Sequence, residues 1–181
     1  MMAEGSMSEE QSRVPQEMLH AITQHYYTEA RWLQERLYRE WLDQMVARDI
    51  HYWAPIFEER LKKDKRPAPT PDDAAYYNDT YKDLQGRVER LYTGMVWMED
   101  PPSRIRYMIS NVEAFSTPNA NEFVTYCNIL VMRNRRQIEA AQHSLGRQDL
   151  LRLADGKFQV AKRKITVDAR VVQDMNLYFF I

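Results

Sequence analysis

The chain has little cysteine, little glycine and no long apolar segment. Cys127 is its single cysteine among 181 residues, and only five glycines are spread along it. A single cysteine excludes an intrachain disulfide and fits a reducing cytoplasm. The scattered glycines form no phosphate-binding loop, and no apolar run approaches the ~20 residues that a membrane-spanning helix needs. We therefore expect a soluble cytoplasmic protein.

The sequence also lacks a plausible set of iron ligands. A Rieske cluster requires two cysteines and two histidines, and a mononuclear non-haem iron site requires two histidines and a carboxylate that converge. The four histidines are His20, His25, His51 and His143. His20 and His25 are five positions apart, which places them on different sides of a helix, and the other two lie on other predicted elements. We expect no metal or other cofactor in this chain.

The balance of charge argues against binding to nucleic acid. Lysine plus arginine number 25 against 26 acidic residues, which gives a formal net charge of -1, whereas phosphate recognition requires a basic face. Two local basic clusters, Arg133/Arg135/Arg136 and Lys162/Arg163/Lys164, lie in strand-like sequence. We expect both clusters to occupy solvated or subunit-facing strand edges.

The first half of the chain has the apolar spacing of helices. Residues 1–13 are polar and without pattern, and we predict them to be disordered. Apolar residues then recur every three or four positions from Leu19 to about Ala47, which is typical of an amphipathic helix. We expect a break near Gln34, because one uninterrupted helix of this length is unusual in a compact domain.

A proline-rich loop and a further helix are predicted next. Residues 58–73 contain five basic side chains and three prolines, which indicates an exposed and stiffened loop. The apolar spacing then predicts a helix over about residues 80–96, with Asn78 or Asp79 as its N-cap.

Strand-like sequence appears at residues 50–57 and dominates the chain after the prolines at 101–102. Pro55 lacks an N–H, so the first strand should be an edge strand or bend there. Gly146 predicts a bulge that lets the sheet curl, and Cys127 lies in an apolar strand pattern, where it should be buried. The later strands are expected at about residues 104–109, 123–132, 138–153, 157–168 and 176–180, with turns at 117–121 and 154–156.

Helices followed by consecutive hairpin-connected strands indicate an α+β fold. We expect the N-terminal helices to pack in the concave face of a curved, largely antiparallel sheet. The chain length fits one domain, at residues 14–181, which would bury roughly 70% of the surface of its unfolded form.

One acid–base cluster is conceivable in the first strand. Asp49 and His51 share a strand face at positions i and i+2, with Tyr52 beside them. An Asp–His pair in the pocket of a curled sheet could catalyse a dehydration or an isomerisation. In the structural alternative, Asp49 ends the preceding helix and His51 makes an ordinary interior hydrogen bond.

The chain is rich in the residue types found at subunit interfaces. It has eleven tyrosines and four tryptophans, more than one small core needs, and these types are enriched in interfaces. The apolar segment at residues 176–181 should either complete the sheet or dock on a partner. The structural or interface candidates are Trp97, Pro101, Pro102, Arg104, Asn111, Arg163, Tyr178 and Phe179.

Several short segments, taken in order, carry a family resemblance. They are Tyr26-Tyr-Thr-Glu-Ala-Arg31 with Leu33, Tyr38-Arg-Glu-Trp-Leu42, Asp49-Ile-His-Tyr-Trp-Ala-Pro55, Arg87-Val-Glu-Arg-Leu91, Trp97-Met-Glu-Asp-Pro-Pro-Ser-Arg104, Ile109-Ser-Asn-Val112, Ala161-Lys-Arg-Lys-Ile165, Asp168 and Asn176-Leu177. Over roughly residues 14–181 the chain resembles the small (β) subunit of bacterial aromatic-ring-hydroxylating dioxygenases, which are Rieske non-haem iron oxygenases. It departs from that family at Gln34, where an aspartate is common, and at Tyr107, where a histidine is common.

The resemblance implies a cone-like fold of the nuclear-transport-factor, scytalone-dehydratase and cystatin-like type. It implies a non-catalytic subunit that self-associates as a trimer within an α3β3 hexamer. The partner α subunit would hold the Rieske [2Fe–2S] cluster and the mononuclear Fe(II), and would cis-dihydroxylate aromatic compounds with O₂ and electrons from NAD(P)H. Two alternatives remain at this point: a stand-alone dehydratase or isomerase that uses Asp49, His51 and Tyr52, and a protein that binds a small hydrophobic ligand.

Overall fold

In a computed structural model of the chain, the structure describes residues 12–57, 61, 63–94, 101–136, 139–169 and 180–181. Three helices and six strands follow one another along this part of the chain. In order, they are α1 (Gln16–Gln34), α2 (Tyr38–Met45), β1 (Val46–Pro55), β2 (Ala75–Asp79), α3 (Tyr81–Tyr92), β3 (Arg104–Ser116), β4 (Glu122–Arg135), β5 (Glu139–Ala154) and β6 (Lys157–Val167).

The six strands form one open, curled sheet in the order β2-β1-β6-β5-β4-β3. All neighbouring strands are antiparallel except β1 and β6, which are parallel. The helices pack on one face of the sheet, and the hydrophobic core lies between the two layers. We call this the inner face of the sheet and the opposite one its outer face. The predicted α+β fold class, with helices inside a largely antiparallel sheet, is confirmed.

The predicted break in the first helical stretch is confirmed. Helix α1 ends at Gln34, and Arg36 adopts a left-handed conformation with φ of 61° before α2 begins. The guanidinium of Arg36 donates to the carbonyl oxygen of Ser103, and the Tyr92 hydroxyl donates to the carbonyl oxygen of Arg36 at 2.9 Å. Contacts from distant parts of the chain therefore hold the two helices at this corner.

The boundary between α2 and β1 lies earlier than the sequence predicts. Helix α2 ends at Met45 and β1 begins at Val46, whereas the expected helix ran to Ala47 and the expected strand began at Ile50. Strand β1 is an interior strand, so the edge alternative for Pro55 is wrong. The alternative of a bend is consistent with a shift of register between Ala54 and Pro55.

Helix α3 begins one residue later than the predicted caps would allow. The Asp83 carboxylate accepts hydrogen bonds from the Thr80 N–H at 2.9 Å and from its hydroxyl at 2.6 Å, so Thr80 occupies the N-cap. Asn78 and Asp79 instead belong to β2, which the sequence analysis missed. The helix ends at Tyr92, and the predicted end at Val96 lies outside the described residues.

Strands β3–β6 follow the predicted alternation, and Cys127 is buried as expected. The predicted turn at residues 154–156 is confirmed, with Asp155 and Gly156 both at positive φ, as the tight turn of a hairpin requires. The bulge predicted at Gly146 is wrong, because pairing with β4 runs through that residue without a shift. The register shifts lie instead between Ser110 and Glu113, and between Leu150 and Leu151.

The described residues near both ends of the chain contact strand β3. Ser12 and Arg13, placed in the predicted disordered segment, pair with the end of β3 through Ser116 and Phe115. Residues 1–11 lie outside the described residues, as do 176–179 of the predicted last strand. Its final residue, Phe180, is described and is buried.

Candidate functional site

Four charged side chains meet on the inner face of the sheet, where apolar residues would be expected. Arg147 and Asp149 alternate on β5, Arg163 lies opposite Asp149 on β6, and Glu29 projects from α1. All four side chains are buried: Arg147 is 4% exposed, Asp149 is 2% exposed, and Arg163 and Glu29 are each 1% exposed. We call these four residues the charge cluster.

Arg163 is the best-connected member of the charge cluster. Its Nη1 lies 2.8 Å from Oε1 of Glu29, and its Nη2 lies 2.8 Å from Oδ2 of Asp149. Its Nε also donates to Oδ1 of Asp149 at 3.0 Å. Arg147 forms ion pairs with the same carboxylates: its Nη2 lies 2.9 Å from Oε2 of Glu29, and its Nε lies 3.3 Å from Oδ2 of Asp149. The geometry of these two contacts does not make either of them a hydrogen bond. Two guanidiniums thus balance two carboxylates in a buried, formally neutral group.

Neutral polar groups complete the shell around the charge cluster. The Tyr26 hydroxyl donates to Asp149 at 3.0 Å and is also hydrogen-bonded to Thr125. Trp41 Nε1 donates to Oε1 of Glu29 at 3.0 Å. Buried charges are stable when they are paired and hydrogen-bonded. Glu29, Asp149 and Arg163 meet that requirement, with contacts from α1, α2 and β4.

Arg163 of the charge cluster and two nearby tyrosines also bind the main chain of residues 180 and 181. Arg163 Nη1 donates to the carbonyl oxygen of Ile181 at 2.9 Å, and the Ile181 N–H donates to the Tyr52 hydroxyl at 2.7 Å. The Tyr107 hydroxyl donates to the carbonyl oxygen of Phe180 at 2.7 Å. Residues 180 and 181 therefore close over the cluster, and both are buried.

The cluster sets the ionisation of its members and neighbours. Burial would raise the pKa of Glu29, but the guanidiniums of Arg147 and Arg163 together hold that pKa well below its ordinary value. Burial lowers the pKa of His25 from 6.5 to about 4, which the nearby Glu29 carboxylate only partly opposes. Glu29 is therefore charged and His25 neutral at neutral pH.

The structure does not bring together the predicted acid–base residues. Asp49 is on the outer face, where both its oxygens accept hydrogen bonds from Arg152 at 2.9 and 3.1 Å. His51 Nε2 is 2.9 Å from Oδ1 of Asn78. Tyr52 points to the inner face and binds Ile181. Asp49 and His51 therefore do not form the Asp–His pair that a dehydratase needs, and Asp49 lies within a strand rather than at a helix end.

The interface candidates fall into different environments. Arg163 is not at a solvated or subunit-facing edge, as the sequence predicted for its cluster, but in the core; Lys162 and Lys164 beside it are exposed. Its two carboxylate partners explain the difference. Pro101, Pro102, Arg104 and Asn111 are exposed, whereas Trp97, Tyr178 and Phe179 lie outside the described residues.

Sequence reasoning missed Glu29, Arg147 and Asp149, although a signal was present. Arg147 and Asp149 are in phase with buried Leu145 and Leu151, so a strict alternation places both charges on the apolar face. Among the described residues, no group of three or more histidine, cysteine, aspartate or glutamate side chains could hold a metal ion. No helix in the described part of the chain is long and apolar enough to cross a bilayer.

Comparisons with known proteins give one consistent result. The sequence model of the ring hydroxylating beta subunit family matches residues 28–174. The chain is 32% identical over 164 residues to the biphenyl 2,3-dioxygenase subunit beta of Rhodococcus jostii (strain RHA1), covering 89% of this chain and 87% of that protein.

Solved structures share the fold. Naphthalene 1,2-dioxygenase with indole bound in the active site superposes with a TM-score of 0.86 and 24% identity, covering 93% of this chain and 88% of the other. A protein with a cystatin-like fold from Nostoc punctiforme superposes with a TM-score of 0.56 and 15% identity, covering 88% and 97%. At these identities the structural likeness describes the fold alone, and it agrees with the predicted cone.

Proposed function

Because the chain belongs to the ring hydroxylating beta subunit family, we propose that it is the non-catalytic structural subunit of a dioxygenase that cis-dihydroxylates aromatic compounds. It supports larger, iron-containing α subunits in an α3β3 hexamer, with three copies of this chain as a trimeric base. Residues 14–181 act as one domain, and the complex works in the cytoplasm.

The observation that carries this proposal is the charge cluster. In a cone-shaped fold, the space between the helices and the sheet is where a pocket can form. Here Glu29, Arg147, Asp149 and Arg163 lie in that space, and each charge faces an opposite charge of this chain. Such an interior suits a structural support, because its carboxylates are already paired with guanidiniums of the same chain.

The chemistry belongs to the α subunit. A Rieske [2Fe–2S] cluster needs two cysteine ligands, and this chain has only Cys127, which is buried. The residues of this chain therefore do not fit that cofactor. The Rieske [2Fe–2S] cluster and the mononuclear Fe(II) are bound by the α subunit, where O₂ and electrons from NAD(P)H are used. The trimer of this chain fixes the α subunits against one another, so that the Rieske cluster and the mononuclear iron lie at electron-transfer distance.

Two competing functions have less support. A stand-alone dehydratase or isomerase would require Asp49, His51 and Tyr52 to converge. Tyr52 lies on the opposite face from Asp49 and His51, and each of the three has a separate partner. Binding of a small hydrophobic ligand inside the cone would require an apolar cavity where the charge cluster lies.

Co-expression with the large dioxygenase subunit of the same organism tests the proposal. The chain should co-purify with a brown iron protein, whereas the isolated chain should be colourless, free of stoichiometric iron and inactive. Omission of the chain should reduce turnover by the large subunit. Unchanged kinetics without the chain, or turnover by the isolated chain that His51→Ala abolishes, would refute it.

A further inference from the structure

Gly146 lies in the middle of β5 on the outer face of the sheet, and no contact among the described residues requires glycine there. It pairs with Asn128 of β4 and with Thr166 of β6 without a shift of register at that point. Its backbone is not in the left-handed region, and an added Cβ would come no closer than 3.9 Å to Cβ of Thr166, which is ordinary contact. A side chain would therefore fit in the folded chain.

A glycine inside a strand loses more conformational entropy on folding than other residues, and it usually marks a bulge, a tight bend or the close approach of another molecule. The continuous register excludes a bulge at Gly146, and the absence of an internal close contact excludes an approach from within the described chain. The remaining explanation that involves contact is an approach from outside.

Gly146 is part of a row of small residues on the outer face, which we call the outer trough. Ser110, Asn128, Gly146 and Thr166 form one row across β3, β4, β5 and β6. All four are small and uncharged. The row contributes to a depression of about 210 Å³ whose further lining includes Tyr126, Gln148 and Lys164. Hydroxyl and carboxamide groups on its floor can both donate and accept hydrogen bonds, as a polypeptide main chain requires.

The charge next to the outer trough is positive. Lys162 and Lys164 are exposed on β6, and no described carboxylate forms an ion pair with either of them. The nearby carboxylates of the outer face are already engaged: Arg152 pairs with Asp49 and Glu122, and Arg13 pairs with Glu113. A partner with acidic side chains would complement these two lysines.

The outer face is also large enough for a stable interface. Five strands, β1 and β3–β6, span roughly 19 Å across the strands and roughly 40 Å along them, or roughly 760 Å². One partner of a standard interface contributes about 800 Å². The exposed side chains of Met108 and Tyr126 on this face add apolar contact area.

We propose that this outer face binds the large subunit, and that the outer trough receives an extended, acidic segment of it. The proposal rests on the proposed function, because that function supplies the large subunit. The segment crosses the strands at Gly146, where its main chain approaches the sheet and pairs with the polar floor. Its acidic side chains lie beside Lys162 and Lys164.

Two kinds of variant test the proposal, with the tagged large subunit of the same organism as the probe. Gly146→Leu fills the outer trough, and Lys162→Glu with Lys164→Glu reverses the charge beside it. Matched controls are Gly86→Leu, at an exposed helix position with open space around it, and Lys157→Glu, at the exposed start of β6. Binding is measured by titration, self-association by sedimentation, and folding by thermal midpoint.

The expected result is a loss of about tenfold or more in affinity for the large subunit in both test variants. The controls should bind as the wild type does, and all variants should keep the wild-type state of self-association. Unchanged affinity in both test variants would overturn the proposal. Loss of self-association with retained binding would overturn it too, because the occupant would then be a second copy of this chain.

A further variant separates contact from sheet geometry. Gly146→Ala adds one methyl group that the folded chain accommodates, so its thermal midpoint should equal or exceed that of the wild type. A clear fall of the midpoint would show that glycine serves the curvature of the sheet and would overturn the proposal. If the wild-type chain itself fails to bind the large subunit, the proposed function fails, which is a result distinct from these.

Discussion

Arg163 and Glu29, which are 134 positions apart in the sequence, form a buried ion pair with 2.8 Å between Nη1 and Oε1. The pair joins strand β6 to helix α1. Because Arg163 also binds Asp149 and the carbonyl oxygen of Ile181, one guanidinium connects α1, β5, β6 and the chain end.

Removal of the Arg163 charge should strongly destabilise the protein. Arg163→Met leaves Glu29 and Asp149 with one guanidinium between them, so a buried negative charge is uncompensated, and the free energy of unfolding should fall by about 3–5 kcal/mol. Lys162→Met, at the exposed neighbouring position, should change it by no more than about 0.5 kcal/mol. Urea unfolding of both variants measures the difference.

A second substitution shows whether the loss of stability in Arg163→Met comes from the uncompensated buried negative charge. Adding Glu29→Gln to Arg163→Met restores formal neutrality, so the double variant should lose less than the sum of the two single variants. Additive losses would contradict the idea that the four residues act as one electrostatic unit.

His25 should make the protein less stable in mild acid. Its pKa is lowered by burial from 6.5 to about 4, so between these pH values the unfolded chain binds a proton that the folded chain does not. Stability should therefore fall as pH decreases from about 6.5 towards 4, by up to about 3 kcal/mol from this group. The charged groups that act on His25 are Glu29, Arg163, Arg147 and Asp149.

The contribution of His25 can be measured by difference. His25→Phe keeps the packing against Phe158 and Tyr26 and removes the titration, so its unfolding free energy should depend less on pH over this range. His20→Gln, which replaces an exposed histidine of the same helix, is the matched control for loss of a histidine. Equal pH profiles for His25→Phe and the wild type would exclude this role.

The Tyr52 hydroxyl should stabilise the chain end rather than take part in catalysis. It accepts from the Ile181 N–H at 2.7 Å and donates to the Ile181 carbonyl oxygen at 2.5 Å. Tyr52→Phe should lower the free energy of unfolding by about 1–2 kcal/mol. Tyr126→Phe, which removes a hydroxyl on the outer face, should have a smaller effect on unfolding. A Tyr52→Phe variant as stable as the wild type would contradict this assignment.

Asn111 should be replaceable by glycine but not by a β-branched residue. It adopts φ of 53° at the register shift between Ser110 and Glu113, and asparagine and glycine tolerate this left-handed conformation better than other residues. Asn111→Val should lower the unfolding free energy by about 1–3 kcal/mol, and Asn111→Gly should be close to neutral. Thermal unfolding of the two variants provides the comparison, and equal stabilities would argue against backbone strain at this position.

Local patterns predicted those parts of the fold that local physics decides. The alternation along β4 depends on neighbouring residues, so apolar spacing was sufficient to place it. Apolar spacing alone would have allowed one long helix through Gln34, and the break there was expected only because an uninterrupted helix of that length is unusual. The short strand β2 was missed because its pairing with β1 crosses the proline-rich loop. Thr80 was overlooked as a cap because Asn78 and Asp79 are equally good caps by composition.

The candidate site was harder to predict because its parts are distant in the sequence. Arg163 lies between two lysines in the sequence, and a run of three basic residues favours the prediction of a solvent-exposed position. Only the tertiary fold brings Glu29 and Asp149 to it and makes its burial favourable. Strict strand alternation could have placed Arg147 and Asp149 inside, but no local signal identifies Glu29 as their partner.

The parallel pairing of β1 with β6 has a consequence for synthesis on the ribosome. Strands β3–β6 are joined by hairpins and can pair as they emerge. Strand β1 emerges early, but its neighbour β6 is the last described strand to be translated. The nascent chain must therefore carry β1 with one edge unpaired through most of its translation, a period in which chaperones protect such edges from aggregation.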